Sequence, residues 1–196
     1  VAHLARSETA SLNAYMNRRA LEHLIRAAAD IADDDEIIII GSQSILGQYP
    51  DAPASLCVSD EADMFPKNRP ERADLIDGSI GEGSPFHETY GYYAQGVEEG
   101  TATLPRGWRE RLIEVRNANT RYATGLCLDV HDLAISKYIA GREKDRRFVG
   151  EAARFKLLIR ETLLMRLGAT AVSPEKRALI VNQIDFDFAW SGETLA

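Results

Sequence analysis

The chain has 196 residues, 45 % hydrophobic and 27 % charged, which fits one folded domain or one domain with a small appendage and excludes wholesale disorder. Asp plus Glu number 30 against 23 Lys plus Arg, a formal charge of −7. That balance argues against a nonspecific nucleic-acid coat or a basic membrane-binding module, and leaves room for a local basic pocket. The longest apolar run, Ile37–Ile40, is far short of the ~20 residues that span a bilayer, so no membrane partner is expected. The start, Val1-Ala2-His3-Leu4-Ala5-Arg6, has no apolar signal-peptide core. Cys57 and Cys127 lack C-x-x-C partners and sit in apolar runs, so both are expected as buried free thiols. Together these features predict a cytoplasmic protein.

The first 35 residues read as helix, with Leu21, Leu24, Ile25 and Ala28 on one face and Asp33-Asp34-Asp35 as the stop. Ile37–Ile40, four β-branched residues in a row, reads as a buried strand ended by Gly41 and Ser42. Ser44–Gly47 continues as one or two helical turns. After a loop with Pro50 and Pro53, Leu56-Cys57-Val58 opens a second strand that runs to Pro66. Residues 70–80 read as helix, with Pro70 in the first turn. Residues 86–97 read as strand and turn, with Tyr90, Tyr92 and Tyr93 as core and strand residues. Leu112–Val115 and Gly125–Leu128 are short strands.

Beyond residue 129 the pattern is helical. His131–Ala140 is capped by Asp129 or His131, and helices follow over Asp145–Leu158, Arg160–Leu167 and Pro174–Ile184. Ser173-Pro174 supplies a cap and first-turn pair, and Gly168 suits a helix end. The alternation of acids and aromatics over Asp185–Trp190 reads as an edge strand or a packed tail. The predicted class is α/β (α+β), a small mixed sheet flanked by helices, with an α/β domain over 1–150 and a helical extension over 151–196 packed on it.

Three groups carry possible chemistry. Gly41-Ser42, between a strand and a short helix, allows close backbone approach to a phosphate, although the same pair also serves as a plain turn. Glu61 and Asp63 are two apart, so in a strand both carboxylates stand on one face, where a bridging cation relieves their repulsion; a solvated edge strand is the plainer alternative. Lys137, with Arg142, Lys144 and Asp145, would face that pair as a phosphate-neutralising charge or lie on a solvated helix face. Lys137 and Lys144 share a face if their helix continues past Gly141. His87 could act as a base or lie on the surface. No G-x-x-x-x-G-K-[ST], G-x-G-x-x-G or G-x-S-x-G motif occurs, which excludes a P-loop, a dinucleotide fold and a hydrolase nucleophile elbow.

The order of apolar strand Ile37–Ile40, Gly41-Ser42, then Glu61-Ala62-Asp63 resembles the nucleotidyltransferase (polymerase-beta-like) superfamily. Lys137, Ala140, Arg142, Lys144 and Asp145 resemble a helix of small bacterial nucleotidyltransferase-like families related to abortive-infection and toxin–antitoxin nucleotidyltransferases. The resemblance covers about residues 20–150. It implies Mg²⁺ on Glu61 and Asp63, a nucleoside triphosphate such as ATP cradled by Gly41, Ser42 and Lys137, and Asp145 orienting Lys137 or an acceptor. It also implies a third carboxylate, for which Glu114 is the candidate, an RNA, protein or small-molecule acceptor hydroxyl, and a possible antitoxin partner. A catalytically inactive binding or interaction domain on the same fold is the alternative. Glu61 departs from the family's usual Asp at the first position.

Overall fold

The computed structural model describes residues 15–191. The helix expected over the first 14 residues lies outside them, as do the last residues of the proposed extension. Within this span a five-stranded mixed sheet is flanked by eight α-helices.

Helix α1, Arg18–Ala32, starts where Asn17 accepts a hydrogen bond from the Ala20 N–H and stops at Asp33, whose φ of 49° is left-handed. The apolar stripe read from the sequence is its core face: Leu21, Leu24, Ile25 and Ala28 are all fully buried. Asp34 makes the stop rigid. Its buried carboxylate accepts from the Glu36, Asn68 and Arg69 N–H groups and from the Asn68 amide, tying the helix–strand turn to the loop after the second strand.

Strand β1, Glu36–Ile39, has Ile37, Ile38 and Ile39 fully buried, as expected for a strand covered on both faces. A 3-10 turn over Ser42–Ser44 leads into α2, Ile45–Gln48. Strand β2 is Glu61–Pro66, and not the longer strand expected from Leu56. Leu56 and Cys57 are buried, but from a 3-10 turn over Ala54–Leu56 set by Pro53, so their apolar character reflects core packing and not strand pairing.

After a 3-10 turn over Pro70–Arg72 comes α3, Ala73–Ile80. The segment expected as strand and turn divides into helix α4, Pro85–Tyr90, and strand β3, Tyr93–Gly96. Ser84 caps α4 by accepting from the His87 N–H, and Gly91 at φ 75° closes it. Tyr93 is buried in β3, whereas Tyr90 is half exposed on α4. Strands β4, Ile113–Val115, and β5, Thr124–Cys127, match expectation.

The sheet order is β3-β2-β1-β5-β4. Strand β1 pairs parallel with β5 and antiparallel with β2; β2 pairs parallel with β3, and β4 antiparallel with β5. The register Ile39↔Met64 and Ile39↔Cys127 puts the carboxyl ends of β1 and β5 beside the start of β2.

Helix α5, Val130–Ala140, is capped by Asp129, which accepts from the His131 and Asp132 N–H groups, and ends at Gly141 with φ 65°. Helices α6, Glu143–Arg154, α7, Arg160–Gly168, and α8, Pro174–Ser191, follow and pack on one another and on α5. The division drawn at residue 150 falls inside α6. Of the two readings of Asp185–Trp190, the edge strand does not hold and the packed tail does: the segment continues α8, and buried Asp187 accepts from the Tyr138 hydroxyl at 2.8 Å and from Gln183. Cys57 and Cys127 are buried free thiols, and burial pushes them up to about 11 and about 12. No helix among the described residues is long and apolar enough to cross a membrane.

Candidate active site

A cavity of about 710 Å³ opens at the carboxyl end of β1. Gly41 and Ser42 line it from the turn after β1, Glu61 and Asp63 from the start of β2, and Lys137 from α5. Lys144 and Asp145 line it from the first turn of α6, and Thr101–Thr103 form another part of the wall. Its apolar lining includes Leu56, Val58, Ile139 and Phe148.

The carboxylate pair behaves as strand geometry demands. Ala62 is fully buried in the sheet, while Glu61 and Asp63 on the opposite face reach the cavity. Burial, and then the Glu61 carboxylate beside it, push the Asp63 carboxyl up to about 6, against the opposing pull of Lys137 and Lys144. Glu61 is held by the Tyr93 hydroxyl at 3.1 Å, its register partner on β3. Two crowded carboxylates in a half-buried cavity form a donor set that suits Mg²⁺, which takes oxygen ligands and shares them with phosphates.

Gly41 is required by this crowding. Its φ of −82° is open to any residue, but a Cβ there would lie 1.8 Å from Asp63 Oδ2 and 2.7 Å from Asp63 Cγ. The Asp63 carboxylate is packed directly on the bare Gly41 Cα. The Ile40 N–H also donates to the Asp63 carbonyl at 3.1 Å, fixing β2 against the end of β1.

Lys137 reaches the same point from α5. Its ammonium donates to Ser42 Oγ at 2.8 Å and to Asp145 Oδ1 at 3.3 Å, and it stands over the Phe148 ring at 4.7 Å. Its side chain is 9 % exposed. Burial lowers its pKa below the ordinary lysine value, with Asp145 as the main counterweight. Asp145 is fully buried and also accepts from Arg142 at 2.6 Å, so two cations hold one carboxylate. Despite the upward push of burial, Arg142 and Lys137 keep that carboxyl below the usual aspartate range.

A family model described as nucleotidyltransferase of unknown function (DUF6036) matches residues 19–191. The chain belongs to that nucleotidyltransferase family. The description names no acceptor and no toxin–antitoxin relation. Neither a curated protein nor a solved structure matches the chain significantly.

In this nucleotidyltransferase-family chain the structure brings together Gly41, Ser42, Glu61, Asp63, Lys137 and Asp145. It does not bring Glu114 to them. Glu114 is exposed on β4, at the sheet edge three strands from β2, and is absent from the cavity wall. No cluster of three or more His, Cys, Asp or Glu side chains able to hold a metal occurs among the described residues. Lys144 lines the cavity, but not by a continuous helix: Gly141 ends α5 and the chain turns before α6 begins. His87 is on α4, where Nδ1 accepts from the Gly83 N–H and Nε2 lies 3.6 Å from Asp60 Oδ2. His131 is the expected helix-start residue, and its Nε2 accepts from the Ile159 N–H. Sequence reasoning missed Tyr93 as the partner of Glu61 and Phe148 beneath Lys137. The first follows from the parallel pairing of β2 with β3, the second from the fold of α6 back on α5.

Proposed function

We propose that this chain is a Mg²⁺-dependent nucleotidyltransferase that moves a nucleoside monophosphate from a nucleoside triphosphate to an acceptor hydroxyl on RNA, protein or a small molecule. One observation carries the reading: the two crowded carboxylates of β2, the bare Gly41 with Ser42, and the buried Lys137 meet in one cavity. Membership of a nucleotidyltransferase family supports it.

In this reading Glu61 and Asp63 hold the Mg²⁺, which stabilises charge on the attacking and leaving oxygens when bound. Gly41 lets the backbone approach the phosphates, and Ser42 and Lys137 bind them. Asp145 keeps Lys137 aimed at Ser42. A bond forms between the acceptor oxygen and the α-phosphorus as the hydroxyl proton passes to solvent water, the bond from the α-phosphorus to the bridging oxygen of the β-phosphate breaks, and pyrophosphate leaves. The chain's contribution is alignment and fixed charge in a partly dry cavity.

A second reading, a nucleotide-binding domain without transfer, is favoured by Glu61 in place of the usual Asp and by the position of Glu114 away from the cavity. The two readings separate in one experiment. The protein is incubated with each α-labelled nucleoside triphosphate and Mg²⁺, together with bulk RNA, cell protein or a small-molecule pool. Pyrophosphate release and label transfer that vanish in Asp63→Asn support transfer. Mg²⁺-dependent nucleotide binding without either supports the second reading. Absence of nucleotide binding by the unaltered protein defeats both.

A further inference from the structure

Outside the cavity, α1, α4 and the β4–β5 loop build a second surface. His23 on α1 lies 5.0 Å from the Phe86 ring and 4.7 Å from the Tyr90 ring, and its Nδ1 is 2.9 Å from the Tyr92 hydroxyl. Phe86 and Tyr90, 4.7 Å apart, share one side of α4, with Glu88 on the other. Tyr90 is half exposed, and its hydroxyl has no hydrogen bond among the described residues. Arginines border these rings. Arg19, one turn before His23, is exposed and has no hydrogen bond or ion pair among the described residues. Arg26 and Arg121 are close enough to His23 for both charges to be felt there. Arg26 donates to the Asn119 carbonyl, which holds the β4–β5 loop against α1. In that loop Arg121 and Tyr122 are consecutive left-handed residues, at φ 50° and 64°, and both are exposed. Such a conformation is strained for bulky side chains, and here it presents an arginine and an aromatic ring to solvent. The Arg116 guanidinium lies 5.5 Å from the Tyr122 ring. Of these four arginines only Arg121 has a carboxylate partner among the described residues, Asp30 at 3.5 Å, and that pair is exposed.

We infer that this surface binds single-stranded RNA and that RNA is the acceptor class of the neighbouring site. The acceptor role rests on the nucleotidyltransferase reading; the binding rests on the surface alone. In a chain of net charge −7, arginines gathered beside exposed rings, most of them without carboxylates, mark a place for an anion. An acidic peptide would engage the arginines and leave the rings unused, and an apolar protein face would do the reverse. Unpaired RNA engages both, because bases stack on aromatic rings while phosphates meet guanidinium groups. Its 2′-hydroxyl also gives the Tyr90 phenol a partner that DNA lacks. The route to the cavity runs around the edge strand β3. Tyr92 and Tyr93 are adjacent and point to opposite faces there: Tyr92 meets His23, and Tyr93 meets Glu61 at 3.1 Å. Helix α4 spans the same edge, with Phe86 in the ring cluster and the His87 ring 4.6 Å from that of Tyr93. An RNA chain lying on Tyr90 and passing this edge brings its terminal hydroxyl toward Glu61 and Asp63.

The test is fluorescence anisotropy with a short, labelled, unstructured RNA and with DNA of the same sequence. The proteins are the unaltered chain, Tyr90→Ala, Tyr90→Phe, Arg19→Gln and Lys156→Gln, the last an exposed lysine just after α6. Tyr90→Ala is expected to weaken RNA binding about tenfold, the worth of one stacked base. Arg19→Gln should weaken it about threefold and make its salt dependence shallower by one phosphate contact. Tyr90→Phe should keep the stacking and narrow the preference for RNA over DNA, and Lys156→Gln should match the unaltered chain. Arg19→Gln removes no packed ring, so it keeps the test decisive if Tyr90→Ala does not fold. The same RNA is then offered with α-labelled nucleoside triphosphates and Mg²⁺, beside cell protein. Label on the RNA that falls in Arg19→Gln and Tyr90→Ala supports the acceptor role. RNA that does not bind, or that binds both variants as it binds the unaltered chain, overturns the inference and leaves the cavity reading standing. DNA bound as tightly as RNA overturns the choice of RNA, and label found on protein and not on RNA overturns the acceptor role. RNA bound as expected, with no label moved to any acceptor, defeats the nucleotidyltransferase reading and leaves the binding surface in place.

Discussion

Gly41→Ala isolates the steric logic of the site from the stability of the fold. The backbone at Gly41 has a φ of −82° and a ψ of −172°, so alanine meets no conformational penalty there. The new methyl would lie 1.8 Å from Asp63 Oδ2 and 2.7 Å from its Cγ. Real contacts of this kind are no closer than 3.0 Å, so the carboxylate must retreat by more than ~1 Å, which a χ rotation toward the cavity can supply. An off-rotamer side chain costs about 0.5–1.5 kcal/mol, a modest loss of stability. A displacement of ~1 Å in a group that positions the reaction can cost about 100-fold in rate, and at least tenfold in Mg²⁺-dependent nucleotide binding is expected. Gly47→Ala is the contrasting variant. Its methyl would lie 2.5 Å from Cys127 Cβ in the core, where nothing can rotate away, so stability and not binding should suffer. Thermal unfolding and calorimetric titration of both variants provide the comparison. In an Asp63→Ala background the clash with Oδ2 and Cγ is gone, and Gly41→Ala should become nearly neutral for stability. Nucleotide affinity in Gly41→Ala equal to that of the unaltered chain, with Mg²⁺ still required, would refute the argument that Asp63 works from its seat on the Gly41 Cα.

Three further outcomes are expected. Because burial and Glu61 raise the Asp63 carboxyl to about 6, the folded state holds a proton there that the unfolded chain has released; metal-free stability should therefore fall as pH rises from about 4 through about 6. Asp63→Asn should remove up to about 3 kcal/mol of that dependence, read from denaturant unfolding across the same range, and a slope unchanged in the variant would contradict it. Asp145→Ala strips both partners of a fully buried carboxylate and leaves Lys137 buried without its counter-charge, so a loss of about 3–5 kcal/mol is expected; adding Lys137→Met should recover part of it in a double-mutant cycle. Asp34→Ala leaves the Glu36, Asn68 and Arg69 N–H groups without their acceptor and should lower stability by about 2–4 kcal/mol with nucleotide binding of the surviving folded protein unaltered, a split that thermal unfolding and titration together would resolve.

The parts of this molecule that could be read from the chain are those whose cause is local. Four isoleucines in a row have one good solution, a strand covered on both faces, and β1 is that strand. The stripe of α1, the cap at Asp129 and the same-face placement of Glu61 and Asp63 follow from helix and strand periods alone. The errors have causes of a different kind. Leu56 and Cys57 are as apolar as a strand requires, and an apolar run does not say whether its residues reach the core by pairing or from a 3-10 turn. Ser84-Pro85 carries the same cap signal as Ser173-Pro174, but it stands before three tyrosines with high strand propensity, which mask α4 in the sequence. Asp185–Trp190 alternates like a strand, yet continues a helix on which Asp187 meets the Tyr138 hydroxyl, a partner 49 residues away.

The site shows the same boundary between local and distant causes. Gly41-Ser42 and the carboxylate pair are short motifs, visible because each is contiguous. Glu114 is an acid on a strand, and only the order β3-β2-β1-β5-β4 shows that this strand is at the far edge from β2. Lys144 illustrates the converse. A helix continuing past Gly141 would put it one heptad along the face of Lys137. The left-handed Gly141, at φ 65°, instead stops α5 and lets α6 turn back. That turn places the first residues of α6 on the cavity and brings Asp145 to within 3.3 Å of the Lys137 ammonium. Gly141 is therefore the residue that builds the basic side of the site. Its substitution should separate Lys137 from Asp145 before it disturbs the sheet.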